Sequence, residues 1–301
     1  MIDKETFQFR DRMIRGLSVD GHFRIAVVKS TDLVEEARTR HNLSPLATVL
    51  LGRTLTAAAL LASSLKGEER LRLRLEGTGP VGHTMAEANR VGEVRGYVRN
   101  PDAGLDYNRE GISIGEGLGA GLLTATKVLY NEAEPQTSTI QLFRGDVTTD
   151  VANYLTRSEQ LPSAVLLDEQ IGSRGEVLQA GGLLVQKMPG APEEEVVKLQ
   201  EKLARFEPVS KLLSEKLYID KIMKRAVQPW KVKEVARQPL HFFCRCSRER
   251  FISALSMLNY RELEAMEGEP QEMVCHFCGN SEEVSPEEVR ELAVQAKARM
   301  N

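Results

Sequence analysis

The chain has 301 residues, a formal net charge of −3, 42% hydrophobic and 28% charged side chains. That is room for two domains, or one with a substantial appendage, in a globular rather than disordered protein. The near-neutral balance provides no global field for nucleic acid or an anionic membrane, and 5% aromatic residues leave few platforms for stacking single strands.

Met1 to Arg15 carries Asp3, Lys4, Glu5, Arg10, Asp11 and Arg12 with no apolar run behind them, which reads against a secretory signal. Phe23 to Lys29 reads as a strand, and Thr31 as the cap of a helix running to about Arg40. Ser44 before Pro45 offers a side-chain oxygen to an orphan N–H and then a residue that needs none, so it opens a helix predicted over Leu46 to Lys66. Arg53, Thr48, Thr54, Thr56, Ser63 and Ser64 interrupt Pro45 to Leu65, leaving an apolar stretch too short for the ~20 residues of a membrane span. A buried core helix in a cytoplasmic protein is the expectation.

Leu71 to Glu76 alternates as a half-buried strand does. Further strands are predicted at Val94 to Val98, Leu122 to Tyr130, Ser138 to Leu142, Ser163 to Leu167 and Gly182 to Gln186, with a helix over Asp146 to Arg157. Strands follow one another through Gly-rich turns more often than through crossover helices, which predicts an α+β body with a mainly antiparallel sheet over residues 1–188. Residues 189–239 read as a helical connector: Val196, Leu199, Leu203 and Phe206 fall at helical spacing, and Leu212, Leu213, Leu217, Ile219, Ile222 and Met223 continue an apolar face that needs a packing partner. Residues 240–301 form a small C-terminal domain.

All four cysteines lie in that domain, as Cys244-x-Cys246 and Cys275-x-x-Cys278 with 28 residues between the motifs. Two short-spaced pairs, each supplying half of a tetrahedron of soft thiolate donors, predict one structural zinc ion. The clustering argues against a disulfide scaffold. A redox Cys-x-x-Cys lacks its βαβ surroundings, an iron–sulfur cluster lacks the ferredoxin spacings, and His241 and His276 are read as neighbours rather than ligands. A domain of about 60 residues has a marginal core. Structural zinc contributes ~10–16 kcal/mol against the ~5–15 kcal/mol net stability of a whole domain, so metal loss is expected to unfold it.

Other motifs carry less. Gly77-Thr-Gly79-Pro-Val-Gly82 matches the dinucleotide pattern but opens no helix, and reads as a hairpin turn. Gly115, Gly117, Gly119 and Gly121 read as turns feeding a strand. Tyr154 and Ser158-Glu159 have no nearby histidine to make a nucleophile–base pair, so no catalysis is expected. Arg245, Arg248 and Arg250 are followed by an acidic stretch and read as a solvated surface.

The chain resembles the 33-kDa heat-shock chaperonin family of redox-regulated holdases along essentially its whole length. His241-Phe-Phe-Cys-Arg-Cys-Ser-Arg-Glu-Arg250 and Cys275-His-Phe-Cys-Gly279 carry the resemblance in the cysteine region. Ala37-Arg-Thr-Arg-His41, Leu51-Gly-Arg53, Gly77-Thr-Gly-Pro80, Arg95-Gly-Tyr-Val98, Tyr154 to Gln160 and Ala180-Gly-Gly182 carry it in the body. The resemblance implies a non-enzymatic, ATP-independent chaperone, inactive while reduced and holding zinc. On oxidation Cys244 pairs with Cys246 and Cys275 with Cys278, zinc leaves, the connector proves redox-labile and loses its packing partner, and hydrophobic surface captures unfolding clients. It further implies homodimers on activation and reset by thiol reductants. The alternatives on the residues alone are a constitutive zinc ribbon for RNA or a protein partner and, more weakly, a thiol oxidoreductase.

Overall fold

The computed structural model describes residues 10–105 and 113–299. The first nine residues, on which part of the signal-peptide reading rests, lie outside them. The described residues fall into two compact units, one ending at Phe243 and the other beginning at Cys244.

The first unit opens with strands β1 (Arg12–Ser18) and β2 (Phe23–Lys29) and helices α1 (Thr31–His41) and α2 (Pro45–Ala62). Strands β3 (Arg70–Gly77), β4 (His83–Asn89), β5 (Glu93–Val98), β6 (Gly121–Val128) and β7 (Gln136–Gln141) follow, then α3 (Thr148–Arg157), β8 (Ser163–Ile171) and β9 (Val177–Lys187). The connector contributes α4 (Glu193–Ala204), α5 (Val209–Ser214) and α6 (Ile219–Val227), then β10 (Val232–Pro239) and β11 (His241–Phe242). One sheet has the order β10-β1-β2-β9-β8 and the other β11-β5-β4-β3-β6-β7. Their pairings are antiparallel except β11 with β5, which is parallel. The fold is therefore α+β with antiparallel sheets, as the sequence predicts.

Helix α2 lies between the sheets, touching β3, β4 and β5 of one and β2, β8 and β9 of the other. A helix apolar on every side needs such a slot. It is long and apolar enough to cross a membrane, yet 78% of it is buried inside the fold. Ser44 caps it, accepting the Ala47 N–H at 3.2 Å, with Pro45 in the first turn. The helix ends at Ala62 rather than Lys66, because Ser63 donates to both Ala59 and Leu60 and tightens the last turn. Thr31 is the first helical residue of α1 rather than its cap; its hydroxyl accepts the Ala180 N–H instead. Gly77 to Gly82 closes the β3–β4 hairpin, with Gly77 N–H on Gly82 O at 2.8 Å.

The connector's packing partner is the five-stranded sheet. Val196, Leu199, Leu203, Val209, Leu212, Leu213, Ile222 and Met223 share one core with Phe23, Ile25, Val27, Leu183 and Val185. None of α4, α5 and α6 has a side-chain cap from its own N-cap residue. Helices of 12, 6 and 9 residues are too short to persist alone in water. What fixes α5 is the body: Asp168 on β8 accepts the N–H groups of Val209 and Ser210, at 2.8 and 2.5 Å. Its cross-strand partner Gly181 leaves room for the helix, since a Cβ there would lie 2.8 Å from Val209 Cγ1. On the sheet's other face, a Cβ on Gly182 would meet Thr56 of α2 at 2.9 Å. Residues 232–239 depart from the helical reading, forming β10 at the sheet edge, where its charges face solvent; a charged edge strand and a solvated helix look alike in composition.

Glu169, next to Asp168, points to the α2 side and meets Arg53 Nε at 3.2 Å. Complete burial pushes its carboxyl up to about 8, against the lowering effect of Arg53. The folded state therefore holds a proton that the unfolded chain has released between its ordinary carboxylate value and about 8, so stability falls as pH rises through that window. Melting temperature measured from pH 6 to 8, above the window in which buried Asp11 (raised to about 6) also titrates, is expected to decline in the native chain and to decline less in Glu169→Gln. Asp168→Ala removes the acceptor for two connector amides and is expected to lower stability by about 1–2 kcal/mol, with faster proteolysis around α5.

Candidate metal centre

The second unit contains α7 (Arg248–Leu255), α8 (Tyr260–Ala265), the hairpin β12 (Gln271–Val274) and β13 (Ser281–Val284), and α9 (Pro286–Ala298). Its core is small: Leu255, Leu263, Val284, Val289, Leu292, Ala293 and Ala296 are buried together, away from the cysteines. Capping boxes at Asn259 and Ser285 start α8 and α9. Arg248 ties α7 to the rest, donating to both carboxylate oxygens of Glu288 at 2.7 Å and to Glu283 O. It is thus ion-paired within the unit rather than displayed as part of a basic patch.

The two cysteine motifs reach one point from different local structures. Cys244 and Cys246 sit in the loop ahead of α7. Cys275 and Cys278 sit in the turn of the β12–β13 hairpin, where Cys275 accepts the N–H groups of Cys278 and Gly279 and donates its own to Asn280 O. Gly279 closes this turn with φ +70°, a left-handed conformation that a side chain resists. All four sulfurs lie within 4.8 Å of one another, Cys244 to Cys275 at 3.7 Å and Cys246 to Cys278 at 3.3 Å. Sulfurs on a tetrahedron with metal–sulfur bonds of ~2.3 Å stand ~3.8 Å apart, so the arrangement fits a four-thiolate ion.

Burial pushes the Cys278 thiol up, and desolvation does the same for Cys246. Four converging thiolates without a cation would repel one another and lack solvation; a dication supplies what the protein does not. His241 lies on β11 in the first unit and His276 on the exposed outside of the turn, so neither joins the cluster.

Among the described residues, a second group of metal-capable side chains was not anticipated from the sequence: Asp20, His22 and Glu195. Its atoms are engaged in hydrogen bonds. His22 Nδ1 meets Glu195 Oε2 at 2.7 Å, Trp230 Nε1 donates to the same oxygen at 3.1 Å, and Asp20 accepts from Ser18 and the His22 N–H. Trp230 also stacks edge-on against Phe23 at 5.2 Å. The group is a clasp between the β1–β2 turn and the connector. Tyr154 is likewise structural: its hydroxyl donates to Glu159, which pairs with Lys127 at 2.5 Å.

Two antiparallel sheets around a buried helix, with a separate unit bearing four convergent cysteines, define a chaperone with a metal-capable thiol cluster when set beside proteins of known kind. The Hsp33 protein family model matches residues 11–285. A 33 kDa chaperonin of Thermus thermophilus is 42% identical, covering 95% of this chain and 87% of the relative, and one of Bacillus subtilis is 35% identical, covering 95% and 99%. The crystal structure of a 33 kDa chaperonin from Thermotoga maritima superposes with a TM-score of 0.88 at 33% identity, covering 96% of this chain and 99% of that one. The chain belongs to the Hsp33 family of 33 kDa chaperonins, and is a chaperone rather than an enzyme.

Because metal binding and local folding are coupled, strain at the turn should appear as lost affinity. Gly279→Ala forces a left-handed alanine, at about 1–2 kcal/mol. Competition with a chromogenic chelator is expected to show thiophilic-metal affinity about tenfold lower, with the first unit's melting unchanged.

Proposed function

We propose that the chain is a redox-regulated, ATP-independent holdase of the cytoplasm. In the reduced state Cys244, Cys246, Cys275 and Cys278 hold one Zn2+ ion. When bound, zinc supplies the positive charge that the buried thiolates lack, and so joins the loop after β11 to the β12–β13 turn.

On oxidation, each of two thiolate pairs gives two electrons to a peroxide, which takes up protons and leaves as water. One S–S bond closes between Cys244 and Cys246 and one between Cys275 and Cys278. The intact cluster does not single out these partners, since close sulfur approaches also run between motifs, Cys244 to Cys275 at 3.7 Å and Cys246 to Cys278 at 3.3 Å. Chain connectivity favours them once the unit opens: joining residues ~30 apart costs about 2 kcal/mol more loop entropy than joining residues ~3 apart.

Disulfide sulfurs no longer serve as thiolate ligands, and the second unit is left with its small core alone. Cys244 follows β11 after a single residue, so unfolding of the second unit removes the anchor at the end of β10 and β11. The connector then leaves the sheet and exposes Phe23, Ile25, Val27, Leu183 and Val185 together with its own apolar face. Unfolding clients bind there. Active chains pair as homodimers, and thiol reductants reopen the disulfides to restore the resting state.

The observation that carries this reading is the connector, whose three short helices bury their apolar face on the sheet and of which α5 takes its cap from Asp168. Reduced protein treated with peroxide under mild heating is expected to release zinc to a chromogenic chelator and, in parallel, to suppress aggregation of an unfolding client. Zinc that stays bound, or leaves without such activity, contradicts the proposal. Salt-sensitive RNA binding by the reduced form would instead favour a constitutive zinc ribbon.

A further inference from the structure

The clasp between the β1–β2 turn and α4 brings two carboxylates together around one imidazole. Asp20, His22 and Glu195 place one ligand atom each within 4.8 Å of one another. Of the three glutamates that open α4, Glu193 and Glu194 are paired with Lys187 and Lys198, at 2.7 and 2.5 Å. Glu195 instead meets His22 Nδ1 at 2.7 Å, and no lysine or arginine among the described residues pairs with it or with Asp20. The three groups are held by donors on their outer side. Asp20 Oδ1 accepts from the Ser18 hydroxyl and, at 3.0 Å, from the His22 N–H, which leaves Oδ2 toward the imidazole, 3.6 Å from Nδ1. Trp230 Nε1 donates to Glu195 Oε2 at 3.1 Å, and the Met188 N–H holds the His22 carbonyl at 2.8 Å. Supporting hydrogen bonds of this kind orient the ligands of metal sites.

We propose that Asp20 Oδ2, His22 Nδ1 and Glu195 Oε2 bind a divalent transition-metal ion such as Zn2+, which ties the connector to the body. Zinc with bonds of ~2.1 Å sets its tetrahedral ligands ~3.4 Å apart. The two contacts of His22 Nδ1, 2.7 and 3.6 Å, bracket that spacing. A neutral imidazole with its proton on Nε2 offers the Nδ1 lone pair, and the two carboxylates balance the charge of the ion. The nitrogen donor favours zinc over magnesium or calcium, and water completes the coordination on the exposed side. Without the ion, the carboxylates repel each other across the clasp; with it, both are drawn to one point. Asp20 and His22 come from the turn and Glu195 from the connector, so only the docked connector presents all three ligands. The ion therefore favours docking and delays release, a consequence that rests on the connector release proposed above, whereas the site itself does not.

Zinc titration of the reduced full chain, its four thiolates already loaded, tests the site by calorimetry and equilibrium dialysis. One further equivalent of Zn2+ is expected to bind. Asp20→Asn and Glu195→Gln keep the shape of each side chain and are expected to weaken that equivalent at least about tenfold, with thermal melting confirming that both variants fold. In excess zinc, hydrogen exchange over 193–204 is expected to slow at least about tenfold in the native chain but not in the variants, and Mg2+ is expected to give no such protection. Absence of a further equivalent overturns the proposal, as does one that either variant retains or one that leaves the exchange of α4 unchanged. Equal protection by Mg2+ overturns the assignment to a site built on a nitrogen donor. Aggregation suppression after peroxide treatment of the same samples reads the holdase proposal separately. A chain that binds the ion but never suppresses aggregation refutes the holdase and leaves the site standing.

Discussion

At the Asp168–Gly181 pair of β8 and β9, the body meets its connector through one carboxylate and one position without a side chain. Asp168 supplies the acceptor that α5 lacks, and Gly181 lets Val209 and Leu213 reach the sheet. His22, from the β1–β2 turn, ties α4 to the body through the Glu195 carboxylate, which Trp230 also meets. Without the sheet, three short helices lose their apolar partners and α5 its cap, so their folding is conditional on docking. That condition is what a switch requires: a segment ordered only by a neighbour can be released without unfolding the rest. The remainder of the first unit is built for the opposite purpose, with α2 enclosed between two sheets.

The second unit is conditional in another way. Its core is a handful of aliphatic side chains on α7, α8, β13 and α9, and the cysteines stand apart from it. Arg248 ties the start of α7 to β13 and α9, and the capping boxes start α8 and α9. The four sulfurs converge where the Cys244–Cys246 loop meets the hairpin turn, so thiol chemistry acts at the junction of loop and turn. The polypeptide link from Cys244 back through β11 to β10 gives that chemistry a route to the connector through chain continuity.

Much of this was legible in the sequence because the signals were local. Ser44-Pro45 announces α2, Phe23 to Lys29 is β2 to the residue, and the cysteine spacings announce a four-thiol cluster. What stayed hidden depended on partners remote in sequence. Strand β4, with Ala86, Glu87, Ala88 and Asn89, is poor in strand-forming side chains and exists because β3 and β5 flank it. Strand β10 is charge-rich because it is an edge. Asp168 reads as an ordinary polar strand residue until Val209 and Ser210 are set against it, and Asp20, His22 and Glu195 meet across 173 residues of chain between histidine and glutamate. Periodicity showed that the connector needed a partner; only the fold identifies that partner as the β2–β9 face.

Hydrogen exchange of the connector amides tests the central claim most directly. In reduced, zinc-loaded protein, residues 193–227 should be protected together with β2 and β9. After peroxide treatment, protection over 193–227 should be lost in step with zinc release, while β3, β4 and β6 keep theirs. A connector that remains protected in protein already suppressing aggregation would contradict the release of this segment as the activating step.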